Sequence, residues 1–328
     1  MQEIKITKKE ENQRLDKFLL KMMNKASKGF VYKMLRKKRI KLNGKRAEGN
    51  EMLAAGDMLQ LYLAEDTVTG LRETRELTPV EKQFTVCYED EDILVVNKPA
   101  GLLVHPETDE DRNTLIDQIL YDLYQRGEYA PENPTAFPPA LCNRLDRNTS
   151  GLVLVGKTLR GTQQATAAIR EKRIDKVYYT IVKGKVKSAG EISAYLSKDM
   201  NKNQVRISME ATDGKHTLTK YRPLLQTEEC TLLEIQLITG KTHQIRGHMQ
   251  FLGHPVIGDK KYGDAGINRR MQQAYGLSHH LLHAGRLVWV EETGALSYLT
   301  GKMFKAPVPQ EFRQICTGIF GARSPVLD

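Results

Sequence analysis

The sequence predicts a two-domain protein of strands interspersed with a few helices, and three observations carry that expectation. Strand-like apolar runs are interspersed with only a few helical patterns along most of the chain. Its 328 residues suffice for two domains of the usual size. Its charge is also divided unequally: residues 1–63 hold 16 basic and seven acidic side chains, an excess of nine, while the whole chain carries +10. The first fifth is therefore a basic module suited to a polyanion, followed by a nearly neutral remainder.

Composition narrows the classes further. A hydrophobic share of 40% and a charged share of 27% belong to a soluble globular chain. No apolar run approaches the ~20 residues that span a bilayer, and the opening MQEIKITKKE lacks the apolar core of a secretory signal, so a cytoplasmic protein without membrane contact is expected. Cys87, Cys142, Cys230 and Cys316 lie far apart, with no metal-binding spacing. His243, His248 and His254 are five and six apart, which does not stack them on one helical face. No metal or cofactor site is expected.

In chain order, Leu15, Phe18, Leu19 and Met22 mark a first helix, and Val31, Met34 and Leu35 a second. Ile40 and Leu42 before Asn43-Gly44 signal a hairpin, and Gly56-Asp57 a turn into the strand Leu59 to Leu63. Between them Arg36, Lys37, Lys38, Arg39 and Lys41 form a dense run of cations. Such a run is often only a solvated face; inside a segment this basic, phosphate contact is the better reading. Residues 64–82 are polar and poor in large apolar side chains, as in a linker. From residue 83 a second domain alternates strand patterns, at Phe84 to Tyr88, Ile93 to Val96, Leu152 to Val155, Lys176 to Gly184 and Leu232 to Ile238. Helical patterns lie near Thr114 to Arg126, Leu159 to Arg173, and at Ile245, Met249 and Leu252. Ser193 to Tyr221 suggests irregular strands and turns.

The second domain is organised around Asn143 to Leu154, NRLDRNTSGLVL. It sets the Asp146 carboxylate between Arg144 and Arg147 at a turn before a buried strand, where positive charge should keep it ionised. By itself, an Arg-x-Asp before a strand is more often a surface ion pair than a reactive centre.

The longer string R-L-D-x-x-T-S-G-L closely resembles the active-site motif of the RluA-type pseudouridine synthases, with Asn143 where the family usually has His. VVNKPAGLLVH, around Lys98 and His105, resembles that family's opening motif, but its Pro and Gly need nothing beyond turn geometry, so neither Lys98 nor His105 is taken as a chemical group. K-V-Y-Y-T-I-V-K-G resembles its tyrosine strand, with Thr180 where Ala is usual. TGKTHQIRGH and LGHPVIGDKKYG resemble two further motifs, with Lys241 and Gly247 in place of Arg and Val, and LHAGRL resembles the closing one. RLDKFL, LRKKRIKLNGK and AGD in the first domain resemble the RNA-binding S4 domain.

The resemblance implies an α+β fold, with a core built on a mixed, largely antiparallel sheet over residues 83–328, preceded by a small α/β S4 domain over residues 1–63. It implies an enzyme that isomerises uridine in RNA, with 23S ribosomal RNA the expected substrate and a monomer the expected form. Asp146 becomes the catalytic carboxylate and Arg246 its partner. Tyr178 has a ring able to stack on uracil and a hydroxyl able to assist proton transfer, and Arg144 is the side chain expected to fill the stack when the base flips out. Isomerisation conserves its atoms, so no cofactor is needed. Two rivals stand beside it: an RNA-binding factor without turnover, and a hydrolase working with a carboxylate pair, for which only one compelling acid is visible.

Overall fold

Alternating apolar residues and short turns build a small first sheet. In the computed structural model, all residues are described except 9, 74–76, 109, 134–136, 200–203, 212–213 and 322–328. The first domain runs β1 (Gln2–Lys5), α1 (Leu15–Met22), α2 (Lys28–Arg36), β2 (Ile40–Leu42), β3 (Lys45–Arg46), β4 (Met58–Leu61) and α3 (Glu65–Gly70). Its sheet order is β1-β4-β2-β3. The predicted face of α1, Leu15, Phe18, Leu19 and Met22, is buried against Val31 and Leu35 of α2 and Ile40, Leu59 and Leu61 of the sheet. Ser27 starts α2 by accepting the Phe30 amide at 3.1 Å. Asn43 and Gly44 both take positive φ, the hairpin geometry their sequence favours.

The segment expected to be a tether does more than connect. Val68 of α3 is buried in the first domain's core, and Leu71 packs against it and accepts the Lys25 amide at 2.9 Å. A single buried Val and a single Leu in a polar stretch are too weak a pattern for periodicity to detect. Arg72 then donates to the carbonyls of Pro131 and Glu132, each at 2.7 Å, and Lys21 sits 5.1 Å from the Phe137 ring centre. The two domains thus touch through the Pro-rich loop ahead of Asp146.

The second domain begins with β5 (Thr85–Glu89), β6 (Ile93–Lys98), α4 (Leu115–Gln125), β7 (Ala140–Leu141), β8 (Ser150–Gly156), α5 (Leu159–Arg170) and β9 (Ile174–Lys183). It continues through β10 (Gly190–Asp199), β11 (Gln204–Ser208), β12 (Lys215–Gln226), β13 (Cys230–Leu237), α6 (Gln244–Phe251) and α7 (Ala265–Tyr275). It closes with β14 (Leu282–Trp289), β15 (Met303–Lys305) and α8 (Gln310–Phe320). One sheet of 11 strands runs β11-β10-β12-β13-β9-β14-β8-β6-β5, with β15 on β14 and β7 on β8. The expected mixed, largely antiparallel sheet is present: its neighbours pair antiparallel except at β14–β8, where His283 faces Ser150 and Ala284 faces Gly151 in parallel.

Ser193 to Tyr221 is more regular than expected. β10 and β12 pair from Gly190–Tyr221 to Leu196–Lys215, and the long-range pairing organises a stretch whose local propensities are weak. On β9, successive side chains face opposite sides, so Tyr178 enters the core formed by α4, β6, β8 and α6, while Tyr179 packs beside Ile181 and Ile257.

Candidate active site

The parallel seam between β8 and β14 decides where Asp146 sits. Gly151 has φ +112°, and a Cβ there would meet the Ala284 carbonyl oxygen at 2.2 Å, so only glycine lets the two backbones approach. Thr149 Oγ1 lies 2.9 Å from His280 Nε2, and Ser150 Oγ 2.9 Å from His283 Nδ1. His283 Nε2 lies 3.1 Å from the Ala306 carbonyl, which can only accept; its proton is therefore on Nε2, and Ser150 donates to Nδ1. Burial lowers the pKa of both histidines to about 4, so they are neutral anchors. Asn143 accepts the Leu154 amide at 2.7 Å and donates to the Leu152 carbonyl at 3.3 Å, which accounts for the residue that departs from the family pattern.

Lys98, discounted from sequence, holds this turn from below. Its ammonium is completely buried and donates to the carbonyls of Pro99, Leu102 and Arg147 at 2.8–2.9 Å. Burial pushes its pKa down to about 7, opposed by Asp146. Three carbonyls, which can only accept, favour the ammonium form with all its protons engaged. Replacing Lys98 with Met should orphan those carbonyls and destabilise the fold by about 3 kcal/mol or more, measured by denaturant unfolding. Unchanged stability would show that the ammonium is not what ties the two loops.

Asp146, left about a quarter exposed, receives Arg246 Nη1 on Oδ2 at 2.9 Å. Arg246 comes from α6, which is buried from Gln244 to Met249, with Ile245 and Met249 packed into the core. Its other nitrogens form a fork to Asp259, Nε to Oδ2 at 2.6 Å and Nη2 to Oδ1 at 3.0 Å. Burial works against the Arg246 charge, yet Asp259 and then Asp146 hold its pKa above the ordinary value. Burial likewise opposes the Asp259 charge, but Arg246 and the amides of Lys261 and Tyr262 hold its pKa below the usual range. Asp259 was missed from sequence; it lies inside GHPVIGDKKYG, where nothing local distinguishes it from a turn aspartate.

Arg144 and Arg147, expected to keep Asp146 ionised, are both exposed and form no ion pair with it. Arg147 Nε instead donates to the Gly101 carbonyl at 3.1 Å. The turn directs neighbouring side chains apart, and the countercharge comes from a helix 100 residues away in sequence.

Tyr178 is 6% exposed in the core beneath this carboxylate. Burial raises the pKa of its hydroxyl, and the charge of Asp146 adds to the effect. Two further departures from the family pattern, Thr180 and Gly247, have local structural reasons. Thr180 donates to the Leu281 carbonyl at 2.7 Å. A Cβ on Gly247 would meet Val205 at 2.8 Å, so glycine lets β11 close onto α6. The cations of the first domain are far more open: Arg36, Lys37, Lys38 and Arg39 are exposed, and Lys41 lies 5.0 Å from the Tyr62 ring centre.

A carboxylate aimed by one buried arginine, beside an aromatic floor, is suited to attack or proton transfer at a flat base. A family model described as RNA pseudouridylate synthase matches residues 92–251, and an S4 domain model matches residues 13–59. Ribosomal large subunit pseudouridine synthase C of Vibrio parahaemolyticus is 31% identical over 283 residues, covering 84% of this chain and 84% of that protein.

The chain belongs to the RNA pseudouridylate synthase family. It is an RNA pseudouridine synthase, an isomerase, with an N-terminal S4 domain. The synthase is also 30% identical to ribosomal large subunit pseudouridine synthase C of Escherichia coli over 315 residues, covering 94% of this chain and 92% of that one. It is 30% identical to the uncharacterized RNA pseudouridine synthase YlyB of Bacillus subtilis over 321 residues, covering 96% and 97%. Its fold is shared with human RNA pseudouridylate synthase domain containing 4, at TM-score 0.54 and 24% identity, over 69% of this chain and 89% of that one. Among the described residues of the synthase, no group of three or more His, Cys, Asp or Glu could hold a metal ion, and no helix is long and apolar enough to cross a membrane.

Proposed function

We propose that the synthase isomerises specific uridines of 23S ribosomal RNA, acting as a monomer in the cytoplasm, with Asp146 as its catalytic carboxylate. The observation that supports this most directly is the 2.9 Å contact between Arg246 and Asp146, which fixes a partly exposed carboxylate at the mouth of an otherwise buried site. The N1–C1′ bond of uridine breaks, the freed uracil turns in the pocket, and C5 bonds to C1′. The C5 proton leaves, and N1 gains a proton. Asp146 acts as nucleophile or base in this sequence. Arg246 holds it in place through the Nη1–Oδ2 contact. Tyr178 supplies a flat apolar surface for the base and a hydroxyl at the reacting edge.

A stacked uridine is out of reach of a carboxylate at the head of a sheet, so the base must flip out, at a cost of about a few kcal/mol. Arg144, exposed beside Asp146, fills the vacated stack. Arg36, Lys37, Lys38, Arg39 and Lys41 bind phosphates and orient the RNA. Neutralising Lys37, Lys38 and Arg39 together should weaken RNA binding. It should also flatten the dependence of log Kd on log salt by about 0.7–0.9 for each phosphate that is no longer neutralised. An unchanged slope would place the RNA elsewhere.

Pseudouridine mapping of ribosomal and transfer RNA tests the whole assignment, comparing cells with the native protein, with Asp146→Asn and with the gene removed. Ribosomal sites lost in both altered strains establish substrate and carboxylate together. Loss confined to transfer RNA overturns the substrate, and unchanged pseudouridine in the Asn strain overturns the role of Asp146.

A further inference from the structure

His243 stands where the turn after β13 meets α6, with φ +56°, a conformation that glycine or asparagine adopts more readily. Its side chain makes no helix-capping bond. Instead Nε2 approaches Asp146 Oδ2 at 3.8 Å, the same oxygen that Arg246 holds. The ring is fixed from behind, because Nδ1 lies 3.0 Å from the Tyr262 hydroxyl and the two rings meet edge to face. That hydroxyl already accepts the Val205 amide of β11 at 2.8 Å. A phenol that accepts one N–H has its own proton left to give, and Nδ1 is its other partner. Tyr262 therefore donates to Nδ1, and the proton of a neutral His243 must be on Nε2, facing the carboxylate. Burial lowers the pKa of His243 despite the nearby Asp146 charge, in keeping with the neutral form.

We infer that His243 is a positioning residue for the reaction: when RNA closes the site, its Nε2–H bonds to Asp146 Oδ2. Arg246 and His243 together then occupy that oxygen, leaving Oδ1 as the reacting atom. Tyr262 sets the tautomer, and through Val205 it links the β10–β11 hairpin to the carboxylate. This inference rests on the proposed role of Asp146.

The test is a single-turnover rate of pseudouridine formation on the RNA substrate, together with RNA Kd, for His243→Ala, His243→Gln, Tyr262→Phe and Asp146→Asn. His243→Ala should lose about 10- to 100-fold in rate, as a misaligned reacting group does, with little change in Kd. Gln, which can present an amide N–H at similar reach, should recover part of that loss. Tyr262→Phe frees the tautomer, so its rate should fall at pH 8 and recover towards the native rate as pH falls through the lowered imidazole pKa, below which the imidazolium carries both protons. The charges facing His243 in that titration are Asp146 before β8, Arg246 on α6, and Asp259 and Lys261 in the loop after α6.

A native rate in His243→Ala overturns the inference, and so does a pH-independent loss in Tyr262→Phe. Should Tyr262→Phe fail to fold, imidazole ¹⁵N NMR of the native protein decides the tautomer. His243 is assigned by its absence from the Gln spectrum, and a proton on Nδ1 overturns the inference. Activity persisting in Asp146→Asn overturns the role of Asp146 itself. An inactive Asp146→Asn beside a fully active His243→Ala removes only the role of His243.

Discussion

Asp146→Asn should abolish pseudouridine formation while leaving the protein folded and RNA-binding. The amide keeps the carboxylate's shape, and its oxygen can still accept from Arg246. It cannot serve as nucleophile or base, so the single-turnover rate should fall at least about 10⁴-fold, the scale on which enzymes lose a reacting group. The Arg246 fork to Asp259 does not involve the substituted side chain, so stability should change by about 1 kcal/mol or less. Rate and Kd on one RNA, with a denaturant midpoint, give all three quantities. A variant that turns over within about tenfold of the native rate would move the chemistry to another residue.

Asp259→Ala should do the reverse, striking stability first and activity as a consequence. Asp259 is 1% exposed and holds both Arg246 and the amides of Lys261 and Tyr262. Its removal strands a guanidinium whose other anchor is the partly exposed Asp146, and breaking a buried pair on one side costs about 3–5 kcal/mol. Replacing both partners, Asp259→Leu with Arg246→Met, should restore much of that stability without restoring turnover. Urea unfolding of the single and double variants separates the two effects; equal stability of Asp259→Ala and the native protein would show that the fork does not hold the site. The pair also sets an acid limit. The folded-state pKa of Asp259 is depressed, so its stabilisation is complete above the unfolded pKa, about 4, and is lost as pH falls through the folded value.

Most elements could be read along the chain because their signals are local. The apolar face of α1, the Asn43-Gly44 turn and the buried run Leu152 to Val155 each follow from side-chain period or backbone preference within a few residues. Asp146 and Arg246 were found through motifs, and the structure brings them within hydrogen-bond distance. β1, α7 and α8 were not anticipated. β1 is four residues long and becomes a strand by pairing with β4, and α7 shows little more than Ile267 and Met271; α8, by contrast, carries Phe312, Ile315, Cys316 and Ile319 at helical spacing, a signal legible in the sequence.

By itself, the sequence determined the prevalence of strands over helices, the concentration of charge in the first domain, the family motifs and the position of the buried strand behind Asp146. Each depends on residue type or short-range spacing. Only the tertiary structure decided which cation serves Asp146, why Lys98 is buried, that Asp259 and Tyr262 stand behind Arg246 and His243, and that the polar stretch after residue 63 adds a helix to the first core. Those outcomes depend on groups far apart in the chain but a few ångströms apart in space. The energy of a buried charge is set by the partners that folding brings to it, and no local pattern records them.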